Sequence, residues 1–155
     1  MAYHDDLLEA AGDLLLVPQS QATLRRAVST AYYAVFHLLI HESCQLWIQP
    51  EHRQSLARQY DHAQMKVASR QIYETKFKTP VTPAEKSLVT VAENFVELQQ
   101  LRHNCDYDLR FTLSFKDAAD MVEQASASFD EWAKIRNERI ATDYLYALLF
   151  KENRR

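Results

Sequence analysis

Glycine is almost missing from this chain. Its 155 residues hold one Gly and four Pro. Tight hairpin turns, β-sandwiches, barrels and glycine-rich nucleotide loops need positive backbone φ, and so have little here to be built from. Cysteine is scarce too: Cys44 and Cys105 stand far apart without metal-ligand spacing, a usage that suits a reducing cytoplasm, the expected location. No uncharged apolar run approaches the roughly 20 residues of a membrane span, and no basic-then-apolar leader opens the chain, so no membrane partner is expected. Charge of one sign is also lacking. The formal net charge of −3 gives no bulk attraction to nucleic acid, which leaves such binding to a local patch.

What is present is helical periodicity in a chain of single-domain length, 47% hydrophobic and 25% charged. Leu7, Leu8, Ala11, Leu14 and Leu15 predict a helix over 5–17, with Asp5, Asp6 and Glu9 suited to its N-terminus and Pro18 as its stop. Ser20 can cap the next helix, from Gln21 to about Trp47. Ala31–Ile40 is apolar on nearly every face, which predicts a central helix covered on most sides. A third helix is expected over 51–76 on a weaker stripe of Leu56, Tyr60, Ala63, Val67 and Ala68. Between Arg53 and Lys78 six basic residues face two acidic ones, a local balance of +4.

Thr82, Pro83 and Glu85 form the capping-box pattern of a fourth helix, whose apolar face runs through Leu88, Val91, Ala92, Phe95, Leu98 and Leu101. Ser114 and Asp117 start another, and helical pattern then continues to about Glu152, a span of about 57 Å at 1.5 Å per residue. A break is expected near Arg136–Ile140, followed by a tail whose face of Ile140, Tyr144, Leu145, Leu148 and Leu149 needs a partner. The predicted fold is all-α: an antiparallel four-helix up-and-down bundle with a short N-terminal helix and a C-terminal helical extension. The bundle takes residues 1–137 and the extension 138–155.

Chemistry concentrates at the end of the fourth helix, in Leu98–Asp108. Arg102, His103, Asn104, Asp106 and Tyr107 crowd into six positions. If the helix persists, Arg102 and Asp106 share one face at i,i+4, and His103 and Tyr107 share another. Metal-free RNA cleavage needs a base for the 2′-hydroxyl, an acid for the leaving oxygen and a cation for the phosphorane. Arg102 offers forked donors to phosphate, and His103 titrates nearest neutrality. Tyr107 could donate a hydrogen bond or stack on a base, with Asn104 and Asp106 orienting the others. The plain alternative is a helix-end ion pair beside a solvated histidine.

Elsewhere, His62 lies on the basic third helix with Lys66 and Arg70, candidates for phosphate contact or members of a solvated face. His37 and His41 have i,i+4 spacing with no third ligand nearby, so His37 is expected in the core. Tyr32 and Tyr33 are expected in the core or lining a cleft beside Arg102. Cys105, with no evident cation near it except Arg102, is not read as a nucleophile.

Two stretches together resemble the HEPN (higher eukaryotes and prokaryotes nucleotide-binding) domain family. Arg25-Arg26-Ala27-Val28-Ser29-Thr30-Ala31-Tyr32-Tyr33-Ala34-Val35-Phe36-His37 is similar to its second-helix signature, and Arg102–Asp108 to its motif of Arg, a polar residue and then Asp-Tyr. The resemblance covers about residues 5–135. It implies an up-and-down helical bundle forming two-fold homodimers. Many members are metal-independent endoribonucleases whose active groups meet across the dimer. Others bind nucleotides, bind RNA without cutting it, or pair with a nucleotidyltransferase-type antitoxin. The resemblance marks Arg102 and His103 as catalytic positions, with Tyr107 standing where the ribonuclease members carry a histidine, and no cofactor or metal. A purely structural interaction protein is the remaining reading.

Overall fold

Helix ends are written into the sequence, and the computed structural model, which describes residues 1–151, places seven α-helices between them. They are α1 (Tyr3–Asp13), α2 (Gln21–Cys44), α3 (Pro50–Ala57), α4 (His62–Gln71), α5 (Pro83–Tyr107), α6 (Phe115–Ile135) and α7 (Arg139–Leu149). One π-helical turn, Ile72–Lys76, continues α4, and no strand occurs among the described residues. The all-α class is therefore as predicted. None of these helices is long and apolar enough to cross a membrane.

The side chains predicted at helix starts account for four of them. Asp5 accepts the Ala2 amide at 3.3 Å, and Ser20 Oγ accepts the Thr23 amide at 3.2 Å. Thr82 Oγ1 accepts the Glu85 amide at 3.1 Å while Glu85 Oε2 accepts the Thr82 amide at 3.3 Å. Ser114 Oγ takes the Asp117 amide at 3.1 Å. Each satisfies a donor that the helix itself cannot pair.

The predicted third helix over 51–76 is two helices. Pro50 sits at the first turn of α3, where its missing amide costs nothing, and the chain leaves the helix after Ala57. Asp61 is extended (φ −125°, ψ 148°), and its Oδ1 accepts the Gln64 amide at 2.8 Å, so its side chain starts α4 instead of continuing α3. An Asp that bonds its own downstream backbone competes with the helix, a preference the apolar stripe does not register. Asp61→Ala is expected to cost about 1 kcal/mol in denaturant unfolding.

The chain forms two units, and α2, α5 and α6 each contribute to both. Unit 1 comprises Met1–Leu38 and Asn94–Asp130. Its core is built on fully buried Ala27, Val28, Ala31 and Tyr32 of α2, with Phe95 and Leu98 of α5 and Ala118 and Ala125 of α6. The Tyr32 and Phe95 rings stand 5.5 Å apart. Asn94 Nδ2 donates to Ser128 Oγ at 3.0 Å, joining α5 to α6. Such burial supplies about 2 kcal/mol per large side chain.

Unit 2 comprises residues 39–93 with the described chain from 131. The break predicted near Arg136–Ile140 falls there, between α6 and α7, where the Glu138 amide closes a turn on the Ile135 carbonyl at 2.8 Å. The apolar face of α7 finds its partner in this unit. Tyr144, Leu145 and Leu148 are buried, and Tyr144 lies 6.4 Å from the Trp132 ring. Ser69 gives its proton to the Met65 carbonyl at 2.7 Å, which leaves its Oγ to accept from Tyr144 OH at 2.6 Å. Burial pushes the Tyr144 phenol far above its ordinary range. Residues 152–155 of the predicted extension lie outside the described residues.

Candidate functional site

The two stretches that resemble the family motifs lie against each other in unit 1. They meet through polar contacts that few sequence rules anticipate. Arg25, just over one turn into α2, reaches the chain reversal that follows α5. Its guanidinium donates to the Cys105 carbonyl at 2.8 Å, to the Asp108 carbonyl at 3.1 Å and to the Phe111 carbonyl. Gln21 completes the attachment, donating to the Leu113 carbonyl at 2.7 Å and accepting the Leu113 amide at 3.0 Å. A guanidinium presents donors in a planar fork, so one side chain can hold several carbonyls of a non-helical loop. The end of α5 is thereby fixed on α2.

Arg102 is the second contact. Its side chain is only 12% exposed, with NH1 on Asp106 Oδ2 at 3.3 Å. The guanidinium carbon lies 5.2 Å from the Tyr32 ring centroid and 5.6 Å from that of Tyr33, distances of cation–π attraction. Its Nε is buried without an acceptor. The other oxygen of Asp106, Oδ1, accepts from the Ser29 hydroxyl at 2.9 Å. Arg102 and Asp106 thus behave as the i,i+4 pair expected of them, turned toward α2.

Between α2 and Asp106 opens a cleft of about 500 Å³, lined by Ala22, Arg25, Arg26, Ser29, Thr30, Tyr33 and Asp106. The α2 residues follow i, i+3, i+4, i+7, i+8 and i+11, one face of a single helix. Arg25 is occupied by carbonyls and Arg102 by Asp106 and two rings. Arg26 is exposed, and among the described residues its guanidinium forms no ion pair. Asp106 is the one carboxylate in the lining. A free cation, two hydroxyls and an aromatic ring around a concave surface can receive an anion attached to a planar group.

The rest of the polar cluster faces elsewhere. Successive helical residues are about 100° apart, so His103 and Tyr107 project from a different face than Arg102 and Asp106. Both are exposed, Tyr107 by 68%, with ring centroids 4.9 Å apart. Asn104 is half-buried and accepts from Gln100 at 3.3 Å. None of the three lines the cleft. His62, Lys66 and Arg70 lie on α4 in unit 2: the first two are half-buried, and Arg70 is paired with Glu74 at 3.0 Å. Other cations of the +4 stretch are also engaged, Arg53 with the Trp47 carbonyl and Lys76 over the Phe77 ring.

His37 is half-buried instead of lying within the core, with Tyr3 edge-on at 4.9 Å, because α2 turns it to the side that α1 covers only in part. Among the described residues no group of three His, Cys, Asp or Glu side chains is placed to hold a metal ion. Burial pushes the Cys105 thiol up to about 11, and the cation that partly opposes this is Arg25, not Arg102. A thiol protonated at neutral pH is a poor nucleophile. Tyr32 belongs to the core and Tyr33 to the cleft.

The α2 wall was the part the sequence hid as a site. Its signal is a ladder of polar residues, Arg25, Arg26, Ser29 and Thr30, on a helix otherwise apolar on most faces. No family model matches the chain, and no curated protein or solved structure does.

Proposed function

We propose that this protein is a HEPN-like RNA-targeting protein that binds RNA in the cleft between α2 and the end of α5. One observation carries the reading. The stretches Arg25–His37 and Arg102–Asp108, which resemble two motifs of one family, are packed together and leave Arg26 free in a concave polar surface. In this reading Arg26 contacts a backbone phosphate, Tyr33 stacks on a base, and Thr30 supplies a hydroxyl donor, joined by Ser29 once its hydroxyl turns from Asp106 to the ligand. The protein acts in the cytoplasm, as a four-helix up-and-down bundle paired with a second copy, and a nucleotidyltransferase-type protein is a candidate antitoxin partner. A free nucleotide presents the same phosphate and is the alternative ligand.

Fluorescence anisotropy with a labelled single-stranded oligouridylate tests the reading. Arg26→Ala is expected to weaken binding about tenfold and to reduce the slope of log K against log salt by about one phosphate contact. Absence of salt-sensitive binding by the wild type would overturn it.

A specific observation favours a second reading, metal-independent RNA cleavage. The exposed His103–Tyr107 pair sits one residue from Arg102 and Asp106 on the same helix end, where a second subunit could bring an acid or base to it. RNA loss in EDTA with cyclic phosphate ends, abolished by His103→Ala, is the result expected of a nuclease. Binding without cleavage leaves the binding module alone standing.

A further inference from the structure

We infer that Asp106 is an internal competitor for the anion that the cleft receives, so that the free protein is self-inhibited by its own carboxylate. The inference rests on the cleft being the RNA site and goes beyond it by naming what opposes binding there.

Asp106 is placed as a ligand would be. It takes one donor on each oxygen, the Ser29 hydroxyl at 2.9 Å on Oδ1 and Arg102 NH1 at 3.3 Å on Oδ2. A hydroxyl and a guanidinium converging on two oxygens of one anion is also the arrangement that binds a phosphate. Asp106 lines the cleft, and its side chain is 34% exposed, so the contact is open to exchange from the solvent side.

The exchange is balanced to be easy. A carboxylate clamping an arginine side-on would take Nε and a terminal nitrogen together; here Nε has no acceptor and only NH1 is used. Arg102 is therefore incompletely paired although its side chain is 12% exposed. A phosphate group, with more acceptor oxygens than a carboxylate, can compete for the donors that Asp106 holds, the Ser29 hydroxyl on the cleft wall first among them. Until it does, the negative charge of Asp106 offsets that of the Arg102 guanidinium and leaves the charges of Arg25 and Arg26 as the attraction felt by an incoming anion, with Arg26 the one exposed to it.

Charge removal without loss of shape separates this from a merely structural role. Asp106→Asn is expected to bind the labelled oligouridylate about tenfold more tightly than wild type at low ionic strength, the scale of one unit charge removed beside a phosphate. Asp106→Ser, which removes charge and length together, is expected to do the same, and thermal unfolding of both variants checks that the fold persists. Unchanged or weaker binding by folded Asp106→Asn, with the wild type still binding, would overturn the competitor role alone. Failure of wild type and both variants to bind would overturn the RNA site and the competitor role together.

Discussion

Replacing Arg25 with alanine is expected to destabilise the protein by about 4 kcal/mol, the largest effect of any surface-reaching polar side chain in unit 1. The carbonyls of Cys105, Asp108 and Phe111 all accept from this one guanidinium; the Asp108 carbonyl is exposed and also takes the Phe111 amide at 3.2 Å, whereas the other two bonds are part-buried and Cys105 itself is buried. Hydrogen bonds from a charged donor contribute roughly 1.5–3 kcal/mol each, and acceptors stranded away from water cost more than the bond was worth. The Phe111 ring, 5.9 Å from the guanidinium, loses its cation–π contact as well. Arg25→Lys should recover only a small part, because a lysine is a point donor and cannot fork between carbonyls. Urea unfolding reads the effect as a lowered midpoint at constant m. A loss below about 1 kcal/mol would mean that the reversal after α5 is held by other contacts, Gln21 first among them.

Arg102→Ala is expected to weaken RNA binding about a hundredfold while leaving the helices in place. Two losses combine. The guanidinium stacked on Tyr32 and Tyr33 no longer contributes positive charge, and Asp106 becomes an unopposed anion on the cleft wall. The second loss makes the expectation specific: Arg102→Ala with Asp106→Ala should bind better than Arg102→Ala alone. Residues in one ion pair are coupled, and a double-mutant cycle isolates that coupling. Strictly additive effects in the cycle would count against a shared action on the ligand. Arg102→Lys should fall between, keeping charge but not the planar stack.

Much of this molecule was legible in its residues, for reasons that can be named. Caps act locally, so Asp5, Ser20, Thr82 with Glu85, and Ser114 marked helix starts that the structure keeps. The near absence of glycine and the 3.6-residue periodicity fixed the all-α class. Periodicity is blind to a side chain that prefers its own backbone, and Asp61 therefore split one predicted helix into α3 and α4.

The candidate site was half visible. Arg102 and Asp106 pair as their spacing implies, but a helix separates neighbours by direction as well as distance. His103 and Tyr107 are adjacent in sequence to that pair and project from a different face. The α2 wall could be seen as family likeness yet not as a site, because contacts spanning some 80 residues of chain, such as Arg25 to Cys105, depend on the tertiary fold. His62, Lys66 and Arg70 stand out in the sequence only by lying on a basic stretch, and the fold pairs Arg70 with Glu74.

The most direct test is residue-resolved: an amide chemical-shift titration of the isotope-labelled wild-type protein with the single-stranded oligouridylate. Binding in the cleft should move the amides of Arg25–Tyr33 on α2 and of Arg102–Asp106 on α5 together, saturably, and lose the effect in Arg26→Ala. Shifts confined to α4, or none at oligonucleotide excess, would contradict an RNA site between α2 and α5.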